Sequence, residues 1–256
     1  MDITDIATDE FIEIGAGERL GKVRSIFEEE NPKGIVVTDD GEYAGVITQK
    51  QLLQSHIEDH TKAEALTRPA PRVDRREDIR DTARMLVEGN TKVAPVFEGD
   101  SLWGIVTVDA ILEAVLDSFD AITVGDIYTD DPVTVGEETT VGRVINLMRE
   151  HGISRLPVVD DSGYLSGIVT TNDVVDVVVR AMDKTTVGDR SGENERILDL
   201  PVYDEMSGPV ETVGVDATVE DAVETMLDRG FAGLVVTGED ERVPEGVVTK
   251  TDVLRA

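Results

Sequence analysis

The sequence predicts an α/β (α+β) protein in which one β-α-β-β-α unit occurs four times. A glycine followed by two apolar residues and a threonine occurs four times, and an apolar pair follows each copy closely. Upstream of each copy lies a strand-like run that ends in a turn containing acidic residues or glycine. Self-similarity of this kind is typical of a repeat architecture. The four copies are Gly45-Val-Ile-Thr48, Gly104-Ile-Val-Thr107, Gly167-Ile-Val-Thr170 and Gly246-Val-Val-Thr249.

The third repeat shows the order of the elements most clearly. Val133 to Val135 form a short β-rich run, and the apolar residues that follow recur with the spacing of one helix face. Gly152 stands where a helix C-cap belongs. Two apolar runs, at 156–159 and 164–169, then flank an Asp-Asp-Ser-Gly turn and predict a hairpin. The residues on the helix face are Val141, Val144, Ile145 and Met148.

A second helix is predicted to begin near Thr171 and to continue through Val179. Its valines favour a strand by propensity alone. Thr170 and Asp173, however, have the spacing of a helix N-terminal capping pair, so a helix is the better interpretation. The other three repeats have the same order of elements, which completes the β-α-β-β-α unit.

The repeats are expected to pair. A unit of about 60 residues buries too little surface to be stable alone, so neighbouring units should cover each other's open sheets. We therefore expect two modules of two repeats, separated by residues 116–123. The predicted boundaries are 1–58 and 59–118 for the N-terminal module, 122–182 and 196–256 for the C-terminal module, and 183–195 for a polar loop.

The composition excludes several classes of function. The 54 acidic residues exceed the 24 basic ones, and the formal net charge of -30 should repel nucleic acid and anionic membranes. The absence of cysteine removes disulfides, thiolate metal sites and thiol nucleophiles, and favours a reducing compartment. Three scattered histidines do not predict a metal site. The first ten residues show neither the basic nor the apolar segment of a signal peptide, and no apolar run approaches about 20 residues, so we expect neither a signal peptide nor a membrane span. We expect a cytoplasmic protein.

The acidic residues are spread along the whole chain. Such self-repulsion destabilises a compact state unless counter-ions screen it, and the Debye length falls to about 3 Å at 1 M salt. Abundant acid with scarce lysine resembles the cytoplasmic proteins of extreme halophiles. The alternative is an ordinary acidic protein that is stable at low salt.

The four repeats, in register with the same upstream hairpin, are similar to the cystathionine-β-synthase (CBS) domain family, whose repeats pair into pseudo-twofold Bateman modules. The resemblance extends from about Ile3 to Leu254. It implies a regulatory protein without catalysis or a required cofactor, which binds AMP, ADP, ATP or S-adenosylmethionine in clefts between paired repeats. With no catalytic region in the sequence, we expect a stand-alone CBS protein.

The resemblance also implies ribose-binding residues. In the family, a Ser or Thr at the start of the last helix is followed three positions later by an Asp that binds both ribose hydroxyls. A carboxylate can accept a vicinal diol in this way. The third and fourth repeats match this pattern with Thr170 and Asp173, and with Thr249 and Asp252. The first repeat has Gln51 at the Asp position, and the second has Ala110, with Asp109 one residue earlier.

Phosphate-binding residues in the family precede the second strand. By resemblance these are Ser154 and Arg155 in the third repeat, and a guanidinium suits bidentate contacts. The first repeat offers Lys33 and the second Lys92. The fourth has no cation at 231–233, so Arg155 or Lys250 is expected to help there.

The base is expected to lie against small apolar residues near the first strand. By resemblance these are Val133 and Thr134 in the third repeat and Val210 in the fourth, with Ile153 packing on the ring.

Other interpretations remain open at this point. The Thr-x-x-Asp pairs could act as helix caps without binding a ligand. Arg155 could form a surface ion pair, and the four repeat glycines could serve close packing or a bulge. The alternative function is a structural or assembly protein that mediates homo- or hetero-oligomerisation without a ligand. A homodimer, pairing of modules within one chain and an unidentified protein partner are all compatible with the sequence. No motif of a known catalytic site is present to support an enzyme.

Overall fold

The computed structural model describes residues 1–54, 60–119, 121–183 and 198–256, without the side chains of residues 50, 53–54 and 178–183. The loop predicted at 183–195 lies outside the described residues apart from Asp183, which ends a helix.

The predicted β-α-β-β-α order is confirmed in all four repeats. The first repeat contains β1 (Glu13–Gly15), α1 (Leu20–Glu30), β2 (Ile35–Asp39), β3 (Glu42–Ile47) and α2 (Gln49–Gln54). The second contains β4 (Val73–Asp74), α3 (Ile79–Glu88), β5 (Val93–Glu98), β6 (Ser101–Thr107) and α4 (Val108–Val115). A 3₁₀ helix (Leu116–Phe119), α5 (Val124–Ile127) and β7 (Thr129–Asp130) follow.

The second half repeats this order. The third repeat contains β8 (Val135–Gly136), α6 (Val141–His151), β9 (Arg155–Val159), β10 (Leu165–Thr170) and α7 (Thr171–Asp183). The fourth contains β11 (Thr212–Gly214), α8 (Val219–Asp228), β12 (Gly233–Thr237), β13 (Pro244–Thr249) and α9 (Lys250–Val253). Three further 3₁₀ helices precede the first, second and fourth repeats, at Ile3–Asp5, Ala63–Ala65 and Val202–Asp204.

Each repeat forms a small sheet in which the first strand pairs in parallel with the second, and the second is followed by the third in the same sheet. In the third repeat, β9 and β10 form the predicted antiparallel hairpin, with Thr170 opposite Arg155. The preceding helix ends as expected, because Gly152 adopts a left-handed conformation with φ 68° and its N–H donates to Met148. Such a conformation suits glycine, which has no Cβ.

The valines of α7 are explained by packing. Val174, Val175 and Val177 are all buried, so their side chains are used in the core even though their helix propensity is modest. Burial of this face therefore outweighs the local preference for a strand.

The two repeats of a pair exchange their lead segments, which we define as residues 7–12, 66–72, 128–134 and 206–211. Ile105 of β6 exchanges two backbone hydrogen bonds with Thr8, at 2.9 and 3.0 Å, and Val46 of β3 does the same with Arg68. Ile168 of β10 bonds in this way to Ser207, and β13 pairs with β7. Each lead segment therefore lies against the hairpin of the other repeat in its pair.

The repeat glycines allow this close approach. A Cβ on Gly45 would lie 2.5 Å from the carbonyl oxygen of Arg68, and one on Gly104 would collide with the carbonyl oxygen of Thr8. Gly246 is equally close to the backbone of Thr129, whereas Gly167 faces the side chain of Met206. The glycines thus serve close packing between paired repeats.

The chain divides into two compact units. Unit 1 consists of Met1–Ile127, Thr218–Gly233 and Thr249–Ala256, and unit 2 of Tyr128–Ala217 and Leu234–Val248. In unit 1, the main core combines residues of the second repeat with residues of α8 and α9 of the fourth. This core includes Ile111, Leu112, Val219, Val223 and Val253.

Other cores are formed inside the repeats. A second cluster of unit 1 surrounds α1 of the first repeat, and a third joins Val36 of the first repeat to Val93 and Ile105 of the second. In unit 2, the buried residues of the third repeat include Val144, Met148, Leu156, Val158 and Val169. Among the described helices, none combines the length and apolar character required to cross a bilayer.

Candidate functional site

The first turn of α9 carries the predicted ribose-binding pair of the fourth repeat. Asp252 Oδ2 accepts hydrogen bonds from the Thr249 N–H at 2.9 Å and the Thr249 hydroxyl at 2.6 Å. The Asp252 N–H donates back to the Thr249 hydroxyl oxygen at 3.3 Å, which completes a capping box. Asp252 Oδ1 lies 3.5 Å from Arg255 Nη1, and the side chain of Arg255 is 61% exposed. Threonine thus holds one carboxylate oxygen, and in the part of the chain that the structure describes the other oxygen contacts the exposed guanidinium of Arg255.

The third repeat holds its carboxylate in the same way but adds a partner. Asp173 Oδ2 accepts hydrogen bonds from the N–H and the hydroxyl of Thr170, both at 2.7 Å. Asp173 Oδ1 accepts a further hydrogen bond from the hydroxyl of Ser207 at 2.9 Å. Ser207 lies in the lead segment of the fourth repeat. The sequence did not identify it, because its proximity follows from the exchange of lead segments and not from any local spacing.

The predicted phosphate-binding residues of the third repeat lie near Thr170. Arg155 begins β9 and is paired with Thr170 across the hairpin. The carbonyl oxygen of Ser154 accepts hydrogen bonds from the Thr171 N–H at 2.9 Å and the Thr171 hydroxyl at 3.3 Å. Hairpin register and these bonds therefore bring Ser154 and Arg155 to the end of the hairpin where the turn of Asp173 begins.

The predicted base-binding residues lie in or beside the lead segments. Val133 and Thr134 end the lead segment 128–134, which pairs through β7 with β13 of the fourth repeat, and they directly precede β8. Ile153 directly precedes Ser154. Thr134 is exposed, whereas Val133 and Ile153 are half-buried. Val210 follows Ser207 in a lead segment that lies against the third-repeat hairpin.

This arrangement changes the grouping of the base-binding candidates. The sequence grouped Val210 with Asp252 because both belong to the fourth repeat. The structure associates its segment with Asp173, since Ser207 bonds to both Ile168 and Asp173. Individual roles for Val133, Thr134, Ile153 and Val210 stay predictions.

Lys250, predicted to bind phosphate, forms an internal ion pair in unit 1. Its side chain is 4% exposed, and its Nζ lies 2.8 Å from Asp109 Oδ1. The other oxygen of Asp109 lies 3.1 Å from Lys33 Nζ. Burial alone would raise the pKa of Asp109, but the hydrogen bond from Lys250 and the charges of both lysines hold it below its ordinary value. We call these three residues the Asp109 triad.

The triad includes two lysines that the sequence analysis offered for phosphate binding. Lys250 and Lys33 each form an ion pair with Asp109. The phosphate role of Lys250 stays a prediction, and this ion pair gives it no support. The contact joins residues 141 positions apart in the chain, so no local sequence pattern could indicate it.

The first two repeats lack the carboxylate of the pattern. In the first repeat, the amide oxygen of Gln51 accepts hydrogen bonds from the N–H of Thr48 at 2.6 Å and its hydroxyl at 3.3 Å. In the second, Thr107 caps its helix by accepting from the Ala110 N–H at 3.2 Å. Because neither position presents an anionic pair of oxygens, the chemistry predicted for ribose is confined to Asp173 and Asp252.

Capping geometry by itself does not mark a binding site. Thr123 and Asp126 at the start of α5 form the same contacts, with the Thr123 N–H at 3.0 Å and its hydroxyl at 2.8 Å from Asp126 Oδ2. These hydrogen bonds lower the pKa of Asp126. What distinguishes Asp173 and Asp252 is their place directly after a hairpin of the repeat. Asp126 therefore offers a matched control.

The fold and these turns define a class of protein built from four β-α-β-β-α repeats that exchange lead segments in pairs. The CBS domain family model matches residues 3–58, 63–117, 124–180 and 199–256. The chain belongs to the CBS domain family.

Two relatives that match most of this chain are described as uncharacterized proteins. A protein of Methanocaldococcus jannaschii is 29% identical over 99% of this chain and 61% of its own length. An uncharacterized 33.4 kDa protein in the ribosomal RNA operon of Thermofilum pendens is 31% identical over 77% of this chain and 64% of its own length. The chain therefore spans less than two thirds of these relatives.

An enzyme is also partly similar. The inosine-5'-monophosphate dehydrogenase of Korarchaeum cryptofilum is 38% identical over 38% of this chain and 20% of the enzyme. The similarity thus concerns a small part of that enzyme.

Two solved structures share the whole fold. A Methanocaldococcus jannaschii protein, described as a proposed archaeal homolog of g-AMPK, has a TM-score of 0.88 at 19% identity and covers 100% of this chain and 99% of that chain. An uncharacterized conserved protein from Pyrococcus horikoshii has a TM-score of 0.70 at 20% identity with the same coverage. At these identities the likeness concerns the fold.

Proposed function

We propose that the protein is a non-catalytic regulatory sensor that binds an adenosine-containing ligand, AMP, ADP, ATP or S-adenosylmethionine, at the third and fourth repeats. The observation that carries the proposal is the hydrogen bonding of Asp173 and Asp252. In each, Oδ2 accepts two hydrogen bonds from the threonine three positions earlier, so the carboxylate is held at the end of a hairpin and Oδ1 is not used by that threonine. A preorganised carboxylate of this kind suits a vicinal diol.

The third repeat supports the proposal further. Arg155, Ser154 and Thr170 meet at the same hairpin end as Asp173, which combines a cation with hydroxyl groups and a carboxylate. In a chain of net charge -30, a guanidinium beside the turn lowers the local repulsion of a phosphate. The expected ligand therefore carries both a ribose and an anionic group.

Thermal denaturation with AMP, ADP, ATP and S-adenosylmethionine in about 2 M KCl tests the proposal. A ligand at about 100 times its dissociation constant stabilises the folded state by about 2.7 kcal/mol per site, which should raise Tm by roughly 5–10 °C. We expect the Tm shift to be largely lost in the double variant Asp173→Ala/Asp252→Ala.

Asp126→Ala is the matched control, because it removes the same capping bonds from a helix outside the proposed sites. It should keep the ligand-induced Tm shift. The proposal fails if none of the four ligands shifts Tm, or if the double variant responds as the wild type does.

A second candidate function is an assembly module without a ligand. Gln51 and Ala110 in place of the aspartate favour it for the N-terminal repeats, as does the Asp109 triad, which connects three repeats through the protein's own charges. The core of unit 1 supports pairing of repeats within one chain, since it combines the second and fourth repeats. Light scattering with and without AMP distinguishes the two functions. A stable oligomer that ignores every ligand favours assembly, whereas a monomer excludes self-assembly.

A further inference from the structure

The two candidate carboxylates differ in how many hydrogen bonds they can still accept. An ionised carboxylate has about four lone-pair positions on its two oxygens. At Asp252 the threonine uses Oδ2, and among the described residues Oδ1 contacts exposed Arg255 at 3.5 Å. At Asp173 the threonine uses Oδ2 in the same way, but Oδ1 already accepts the Ser207 hydroxyl at 2.9 Å.

The Ser207 hydroxyl is held beside Asp173 by the fold. The Ser207 N–H donates to the carbonyl oxygen of Ile168 at 2.9 Å, and the Ser207 carbonyl oxygen accepts from the Ile168 N–H at 3.0 Å. These two bonds fix the backbone of Ser207 to β10. Among the described contacts, the two carboxylates therefore differ on Oδ1: Asp173 accepts the Ser207 hydroxyl, and Asp252 lies 3.5 Å from the Arg255 guanidinium.

We propose that Ser207 is a specificity-determining residue that makes the two sites unequal. Its hydroxyl occupies a position on Asp173 that a ribose diol would use, so a diol loses an acceptor there unless Ser207 turns away. The inference rests on the proposed function and deepens it: Asp252 is the stronger ribose site, and Asp173 discriminates less between a ribose and a 2′-deoxyribose.

The physical basis is competition for one anionic acceptor. A hydrogen bond to a charged group is stronger than one between neutral groups, so replacing the Ser207 bond with a ribose hydroxyl gains little net free energy. Removing the serine hydroxyl leaves Oδ1 free, and the second ribose hydroxyl then adds its full contribution. Affinity for the ribonucleotide should rise, while affinity for the 2′-deoxy compound should change little.

Isothermal titration of the full chain with AMP and 2′-deoxy-AMP, each in about 2 M KCl, tests this inference. The third-repeat site is observed alone in an Asp252→Ala background. There, adding Ser207→Ala should tighten AMP binding about tenfold and increase the preference for AMP over 2′-deoxy-AMP by a similar factor.

Two control variants accompany the test. Ser166→Ala removes a hydroxyl from β10 that bonds to the Val158 carbonyl at 3.3 Å, and it should leave AMP affinity unchanged. Ser207→Thr keeps the hydroxyl and should keep the weak affinity. Far-UV circular dichroism checks that each variant folds, and Ser207 is exposed, so the alanine change removes no core packing.

The outcomes separate the two proposals. If AMP and ATP bind no variant, including the wild type, both the proposed function and this inference fail. If AMP binds but Ser207→Ala leaves its affinity unchanged or weakens it, the proposed function stands and Ser207 is not a competitor. Equal gains for AMP and 2′-deoxy-AMP would also contradict the inference, since the second hydroxyl would then play no part.

Discussion

At the scale of single residues, charge pairing inside unit 1 is the most informative feature. Lys250 is buried in a protein with an excess of acid, and a buried ammonium needs a counter-charge close by. Asp109 provides it, and Lys33 contacts the other carboxylate oxygen. The triad therefore connects the first, second and fourth repeats through one carboxylate.

Asp109→Asn is expected to lower the free energy of unfolding by about 2 kcal/mol, because Lys250 would keep its charge and lose its anionic partner. Glu18→Gln is the matched control: it breaks the exposed pair with Lys22 and should cost less than about 0.5 kcal/mol. Denaturant unfolding in high salt measures both. A loss in Asp109→Asn no larger than in the control would show that the triad does not stabilise the fold.

Asp109 should also make the free energy of unfolding depend on pH. The pKa of Asp109 is lowered in the folded state, so its contribution to the free energy of unfolding is complete above its unfolded pKa of about 3.9. This contribution is lost as the pH falls through the pKa of the folded state. The stability difference between the wild type and Asp109→Asn should therefore be constant near neutral pH and shrink in acid. A difference that grows in acid would contradict this account.

Single residues also show where sequence reasoning reaches its limit. Thr170, Asp173, Thr249 and Asp252 were identified because their spacing within one helical turn is local, and the structure places each pair in contact. Ser207 and Asp109 were not assigned these roles, because their partners lie 34 and 141 residues away. Such contacts depend on which repeats pair and not on any nearby pattern.

At the scale of the elements, the exchanged lead segments determine the architecture of a pair. Gly45, Gly104 and Gly246 let the backbone of the paired repeat's lead segment bond to the third strand of their own repeat, and Gly167 leaves room for the side chain of Met206. The order of helices and strands was predictable from the periodicity of apolar residues. The exchange was not, since it is made by short segments whose bonds are to another repeat.

Gly104→Ala should lower the free energy of unfolding by about 2 kcal/mol, since its Cβ would collide with the backbone of Thr8 and disturb the bonds between Thr8 and Ile105. Gly214→Ala is the control in a strand of the fourth repeat, where a Cβ meets nothing within 4 Å. It should change stability by less than about 0.5 kcal/mol. Equal stability of the two variants in denaturant unfolding would argue against close packing as the role of the glycine.

At the scale of the whole molecule, the net charge of -30 governs the conditions under which the fold is stable. Many of the acidic residues lie on exposed positions of all four repeats, and the described ion pairs engage only some of them. Unscreened repulsion then opposes the compact state, whereas concentrated salt shortens its range to a few ångströms.

Far-UV circular dichroism across a KCl series measures this dependence. We expect secondary structure to be lost below about 0.5 M KCl and regained at higher concentrations, where the Debye length is short. Uncharged sucrose at matched osmolality should not substitute for the salt, because it screens no charge. Full structure in dilute buffer would refute the halophilic interpretation.

The central claim is that the carboxylates at the third and fourth hairpins bind the ribose of an adenosine-containing ligand. A crystal structure of the full chain grown with AMP or ATP in high salt tests it most directly. We predict both ribose hydroxyls within hydrogen-bonding distance of the Asp252 carboxylate. A nucleotide bound elsewhere, with Asp252 and Asp173 contacting only their own helix caps, would contradict it.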